Sequence, residues 1–89
     1  MKAKEMFKKL GYKQEIGKDY IEYKQIKTFR ETRYWQYEVE YYILFDLERK
    51  DLSIGTDNNG YIHNINIDIL QAILQQVKEL KWEKKNLVK

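Results

Sequence analysis

Apolar residues fall at positions 3, 6, 7 and 10 of Ala3-Lys4-Glu5-Met6-Phe7-Lys8-Lys9-Leu10, the spacing that gathers them on one face of a helix. The segment predicts a short amphipathic helix with lysines on its solvent side. Gly11 can take the left-handed conformation that ends such a helix, and Tyr12 sits where a hydrophobic residue folds back on the last turn. Asp19 to Lys27 predicts a strand without a clean inside face: Ile21 and Tyr23 share one side, and Tyr20, Glu22, Lys24 and Ile26 share the other. Thr28 to Thr32 is polar and interrupts the pattern. From Arg33 to Leu47 the alternation is strongest, with Trp35, Tyr37, Val39, Tyr41, Ile43 and Phe45 opposite Tyr34, Gln36, Glu38, Glu40, Tyr42, Leu44 and Asp46.

Glu48-Arg49-Lys50-Asp51 is a polar link after which Leu52-Ser53-Ile54 resumes the alternation, as in a hairpin. Asp57-Asn58-Asn59-Gly60 predicts a second turn, of type I′, and Tyr61 to Ile65 a further strand. Asp68, with Gln71 three residues on, is the expected N-cap of a closing helix. Its apolar stripe would be Ile69, Leu70, Ile73, Leu74, Val77 and Leu80. The fold expected is α+β: a short N-terminal helix, an antiparallel meander of three or four strands, and a C-terminal helix on one face of the sheet. One domain accounts for residues 1–89, with 83–89 as a frayed tail. The expected core is Met6, Phe7, Leu10, Trp35, Tyr37, Val39, Tyr41, Ile43, Phe45, Ile69, Ile73, Leu74, Val77 and Leu80.

Composition narrows the functional classes. Aromatics at 15% and an apolar share of 43% favour a folded chain over disorder. The absence of cysteine removes disulfides and thiolate metal sites, and with no signal-like or membrane-spanning run it predicts an unprocessed, soluble, cytoplasmic protein. Net charge is +3, unevenly spread: residues 1–33 and 69–89 are basic, and residues 34–68 are acidic. Lys, Ile, Tyr and Asn supply 37 of the 89 residues, a bias toward AT-rich codons.

Catalysis has few parts to work with. His63 is the only histidine and Ser53 the only serine, so nucleophilic triads lack their components. Glu38 and Glu40 are simplest as surface acids, and the calcium-loop-like segment from Asp57 has Ile62 where the loop requires glycine. We expect no enzyme, no cofactor and no metal; a closed pocket joining His63 to two or more carboxylates would reverse the first of these. A partly apolar outer sheet face, with Tyr20, Ile26, Tyr42 and Leu44, is the expected contact surface for a protein partner or a second copy. Trp82 either folds back to complete the core or anchors a partner. The alternative is nonspecific nucleic-acid binding by the basic ends, through Lys4, Lys8, Lys9, Lys78, Lys81 and Lys85 if they form one patch.

Met6-Phe7-Lys8-Lys9-Leu10-Gly11-Tyr12, Tyr20-Ile21-Glu22-Tyr23, Ile43-Leu44-Phe45-Asp46, and Leu70-Gln71-Ala72-Ile73 through Glu79-Leu80-Lys81-Trp82 resemble small proteins of Gram-positive phages, prophages and integrated elements. Those share the order of an opening helix ending in Leu-Gly-Tyr, an Ile-x-Tyr strand, a Phe-centred strand and a closing helix ending in Leu-Gly-Trp. Here Lys81 replaces the glycine before the tryptophan. The resemblance implies an accessory protein of a mobile element and no mechanism.

Overall fold

Helix α1 spans Ala3–Lys9, and four strands follow: β1 Lys13–Ile16, β2 Tyr20–Arg30, β3 Gln36–Asp46 and β4 Asp51–Thr56. Helix α2, Ile67–Glu79, closes the order in this computed structural model, which describes residues 1–82. The sheet is antiparallel throughout, ordered β1-β2-β3-β4. The expected α+β arrangement is therefore present, with both helices on one face.

The alternation of β3 selects that face. Val39, Ile43 and Phe45 are fully buried and Tyr41 nearly so, because period two sends them all toward the helices. Register then fixes which β2 residues join them: Tyr23 lies opposite Ile43, and Ile21 opposite Phe45. Tyr23 is fully buried, its ring stacked on Phe7 of α1 at 3.8 Å between centroids and edge-on to Phe45 at 6.1 Å. Its hydroxyl donates to Gln76 of α2 and accepts from the Gln14 side chain of β1 at 3.0 Å. A buried hydroxyl without partners costs about 1–3 kcal/mol, and here the phenol and the Gln76 amide satisfy each other.

Both helices end in the same device. Tyr12 N–H donates to the Phe7 carbonyl and Gly11 N–H to that of Lys8, with Gly11 at φ 94°. In α2, Trp82 N–H donates to Val77 and Lys81 N–H to Lys78, with Lys81 at φ 58°. This is the Schellman pattern, in which the residue after the left-handed one folds its side chain onto the helix's inner face. Tyr12 is thereby buried, and Trp82 is half-buried against Phe45, 6.0 Å between ring centres. Trp82 folds back and packs against the core.

Several expectations are corrected. The N-cap of α2 is Asn66, whose side chain accepts from Ile69 N–H at 2.9 Å, and not Asp68. Lys13–Ile16, which carries no strong alternation, forms β1 because its backbone can pair with β2. Thr28 to Arg30 continue β2, and Arg33 to Trp35 belong to the turn and not to a strand. Tyr61 to Ile65 form no strand. Neither Asn59 nor Gly60 takes the left-handed conformation a type I′ turn requires. Instead Asn58 closes the turn by accepting from Tyr61 N–H at 3.0 Å and, through its side chain, from Gly60 N–H at 2.9 Å. Leu74 is 57% exposed and Trp35 59%, so neither is core; Ala3, Tyr12, Tyr23, Ala72 and Gln76 are buried in addition to the expected set. The frayed tail at 83–89 lies outside the described residues.

Non-glycine residues adopt the left-handed region at a cost of about 1–2 kcal/mol, so Lys81→Gly is expected to raise stability by about 1 kcal/mol. Gly11→Ala is expected to lower it by at least as much, since an added Cβ at φ 94° would also stand 2.4 Å from the Gln25 amide nitrogen. Urea denaturation of the two variants checks both signs.

Candidate functional site

The outer sheet face carries Tyr20, Ile26, Tyr42 and Leu44 together, as expected, but charges break it up. Lys24 lies at its centre with its ammonium 3.6, 3.7 and 3.6 Å from Glu15, Glu22 and Glu40. Those carboxylates, Glu22 and Glu40 foremost, hold the Lys24 pKa above its ordinary value. Tyr20 donates to Glu15 at 2.8 Å, and that bond and Lys24 lower the Glu15 pKa. The Tyr42 ring lies over Gly55, where a Cβ would meet its hydroxyl at 2.6 Å. The four residues thus form a chequered surface in which polar and apolar positions alternate, and no continuous apolar patch results.

The first turn of α1 meets the last turn of α2, where Ala3 N–H donates to Glu79 at 2.7 Å. Lys4 and Lys8 line a shallow concavity with Tyr12, Lys13 and Gln14, on the β1 side of α1. Lys78 is exposed on α2, about 180° around the helix from the inward-facing Ile69. Lys9 and Lys81 are exposed separately, and Lys85 is outside the described residues.

One polar cavity of about 360 Å³ opens on the helix-bearing face, lined by residues that include Tyr12, Gln25, Lys27, Tyr41, His63 and Asn66. The loop before α2 delivers His63, whose Nδ1 lies 3.1 Å from the Tyr42 carbonyl oxygen and whose Nε2 lies 2.6 Å from the Tyr12 hydroxyl. A carbonyl only accepts, so Nδ1 carries the proton and Tyr12 donates to Nε2. Burial lowers the His63 pKa and raises that of Tyr12; nearby Lys27, with its ammonium 5.1 Å above the Tyr41 ring, adds to the first effect. Among the described residues no carboxylate lines this cavity. Among the described residues no cluster of His, Asp and Glu could hold a metal, and no helix is long and apolar enough to cross a membrane.

The most exposed aromatic groups lie elsewhere. β1 reaches only to the level of Lys24 and β4 only to that of Tyr41, so five rungs from Ile26↔Glu40 to Arg30↔Gln36 form a two-stranded ribbon. At about 3.3 Å per residue it projects well beyond the four-stranded sheet. The radius of gyration is 15.2 Å, against the roughly 12 Å of a compact chain this long. The 57–66 loop braces the ribbon's base: Asp57 exchanges hydrogen bonds with the Glu40 backbone, and Tyr61 packs on Phe29 and Tyr37. The hydrogen bond shared with Tyr37 holds the Tyr61 proton and pushes the Tyr61 pKa up to about 12. At the tip, Glu31 and Thr32 N–H groups donate to the Trp35 carbonyl, which leaves Arg33, Tyr34 and Trp35 pointing into solvent, with Tyr34 88% exposed.

Sequence reasoning missed this tip because the alternation of β3 extends through Trp35 without a break. The available signal was the polar run Thr28 to Thr32, which places a hairpin turn immediately before Tyr34 and Trp35.

Because His63 is held below its ordinary pKa of 6.5, the folded chain binds that proton more weakly than the unfolded one. Its contribution to stability is intact above pH 6.5 and is lost as pH falls through the lowered folded value. Unfolding midpoints should therefore fall between pH 7.5 and 5, and His63→Gln should flatten that dependence. A His63→Gln protein with an unchanged slope would contradict the assignment. In comparisons of the chain with known proteins, no family model, no curated protein and no solved structure matches it.

Proposed function

We propose that this chain is a small non-enzymatic protein-interaction module, of the accessory kind carried by mobile elements, and that the ribbon tip is its contact element. The observation that carries the reading is the exposure of Tyr34 and Trp35, at 88% and 59%, on a braced ribbon where the fold has no need of them. Trp, Tyr and Arg are the residue types that dominate interface energetics when they fill a pocket on a partner. The brace matters for the same reason. Asp57 and Tyr61 hold the base of the ribbon, so the tip is carried at a fixed place on the fold. Against catalysis stand the occupied ring nitrogens of His63 and a cavity without carboxylates.

Arg30 and Arg33 beside the same aromatics favour a second reading, contact with a nucleic-acid strand through stacking and phosphate pairing. A photo-crosslinking residue at position 34, used in an extract of the organism that encodes the chain, separates the two. The expected result is one discrete adduct that protease removes and nuclease does not, absent when the label is at Glu48. Nuclease-sensitive adducts would move the tip to the second reading, and adducts no stronger than at Glu48 would overturn both. The double variant Tyr34→Ala with Trp35→Ala should change folding stability by less than about 0.5 kcal/mol and weaken binding to the captured partner about 30-fold or more.

A further inference from the structure

We infer that the free edge of β4 is a self-association site, at which a second copy of the chain pairs antiparallel, β4 to β4, about a two-fold axis through Ser53. This goes beyond the tip reading and does not rest on it.

The two edges of the sheet are built differently. β1 has only four residues and carries Lys13 and Glu15, and charges on a short strand are what natural edges use against unwanted pairing. β4 has six residues, of which only the first, Asp51, is charged, and Leu52-Ser53-Ile54-Gly55-Thr56 contains neither a charge nor a proline. Asp51 to Ile54 are all exposed, so nothing in the described chain covers this edge.

Apolar surface accompanies the open backbone. Leu52 and Ile54 lie on the helix-bearing side of β4, in register with buried Phe45 and Ile43, yet remain 37% and 39% exposed. Phe7 of α1 packs on β2, and α1 also lies against β1 and α2, so the flank of α2 turned away from α1 faces the β4 side. Leu70 and Leu74 occupy that flank, about 100° and 140° around the helix from inward-facing Ile69, and both are exposed. The result is a step with an apolar floor and an apolar wall.

Register identifies the occupant. Directly opposed residues share a face, so a two-fold axis normal to the sheet must pass through one residue of the strand. An axis through Leu52 would set Ile54 against Lys50. An axis through Ile54 would set Asp51 against Asp57 and Leu52 against Thr56. The axis through Ser53 sets Leu52 against Ile54 of the second copy, twice by symmetry, and Asp51 against Gly55. It also brings the Arg49-Lys50 turn of each copy to the Asp57 end of the other, so opposite charges meet at both ends. The register through Ser53 makes two Leu52–Ile54 contacts and opposes no like charges, whereas the register through Leu52 makes one apolar contact, Leu52 with itself, and sets both Ile54 side chains against Lys50. The sheet becomes eight-stranded, and the two ribbons point in opposite directions.

The chain has no cysteine, which makes the register testable. Opposed Cα atoms in an antiparallel pair lie about 4.5–5.5 Å apart, within reach of a disulfide. Light scattering should give twice the 11.0 kDa chain mass. Under mild oxidation Ser53→Cys should cross-link, Leu52→Cys and Ile54→Cys should each fail alone, and an equimolar mixture of those two should succeed. Ser53→Lys, which opposes two ammonium groups across the axis, should be a monomer with an unchanged circular dichroism spectrum. A natural-sequence chain that stays monomeric at several hundred micromolar would overturn the proposal. So would Leu52→Cys cross-linking as fast as Ser53→Cys, or a Ser53→Lys protein that remains dimeric.

Discussion

Tyr23 is a full-sized phenol without contact with water, and its contacts reach four other elements of the fold. Its ring stacks on Phe7 of α1 and meets the edge of Phe45 in β3, while its hydroxyl joins Gln76 of α2 to Gln14 of β1. Five of the six elements therefore meet at one residue of the second strand. The arrangement also fixes the pitch of α2. For Gln76 to reach the phenol, the helix turns Ala72 and Gln76 inward, and Leu70 and Leu74 rotate out toward β4. The apolar wall beside the open edge follows from the bond at the core.

The same economy explains the shape. Both helices are short and pack over one end of the sheet, tied together where Glu79 accepts from Ala3 N–H at 2.7 Å. Burial alone would raise the Glu79 pKa, but Gln75, that N–H, Lys2 and the N-terminus together lower it. Strands β2 and β3 outrun this cover by five rungs, and a two-stranded ribbon is marginal in water on its own. The 57–66 loop supplies what the helices do not reach, placing Tyr61 against Phe29 and Tyr37. Its irregular backbone is the consequence. The loop sends Tyr61 to the ribbon and His63 to Tyr12 and the Tyr42 carbonyl.

Much of this was legible from residue patterns, and the failures have specific causes. Period two in β3 correctly named Val39, Tyr41, Ile43 and Phe45, because a half-buried strand leaves an unambiguous record. The Leu10-Gly11-Tyr12 cap was equally clear, since glycine and a following aromatic act locally. Tyr23 as the centre of the core was not readable: its burial depends on a hydrogen-bond partner 53 residues away. Trp35 was misplaced because periodicity cannot show where a sheet's cover ends. Leu74 was misplaced because helical spacing gives the width of an apolar stripe and not its rotation, which α1 and Gln76 decide. The outer-face residues Tyr20, Ile26, Tyr42 and Leu44 were put on the right face, but their interruption by Lys24 and its three carboxylates is a property of register between strands.

The folded core is organised around Tyr23, and the ribbon tip stands outside it as surface the fold does not require. Native-state hydrogen exchange followed residue by residue measures this directly. Amides of β2 and β3 around Tyr23 and Ile43 should exchange only through global unfolding, with a denaturant dependence equal to that of the whole chain. Those from Arg30 to Gln36 should exchange through local opening, far faster and with almost no denaturant dependence. Protection of the tip equal to that of Tyr23 would mean that ribbon and core form one cooperative unit, and would contradict the account.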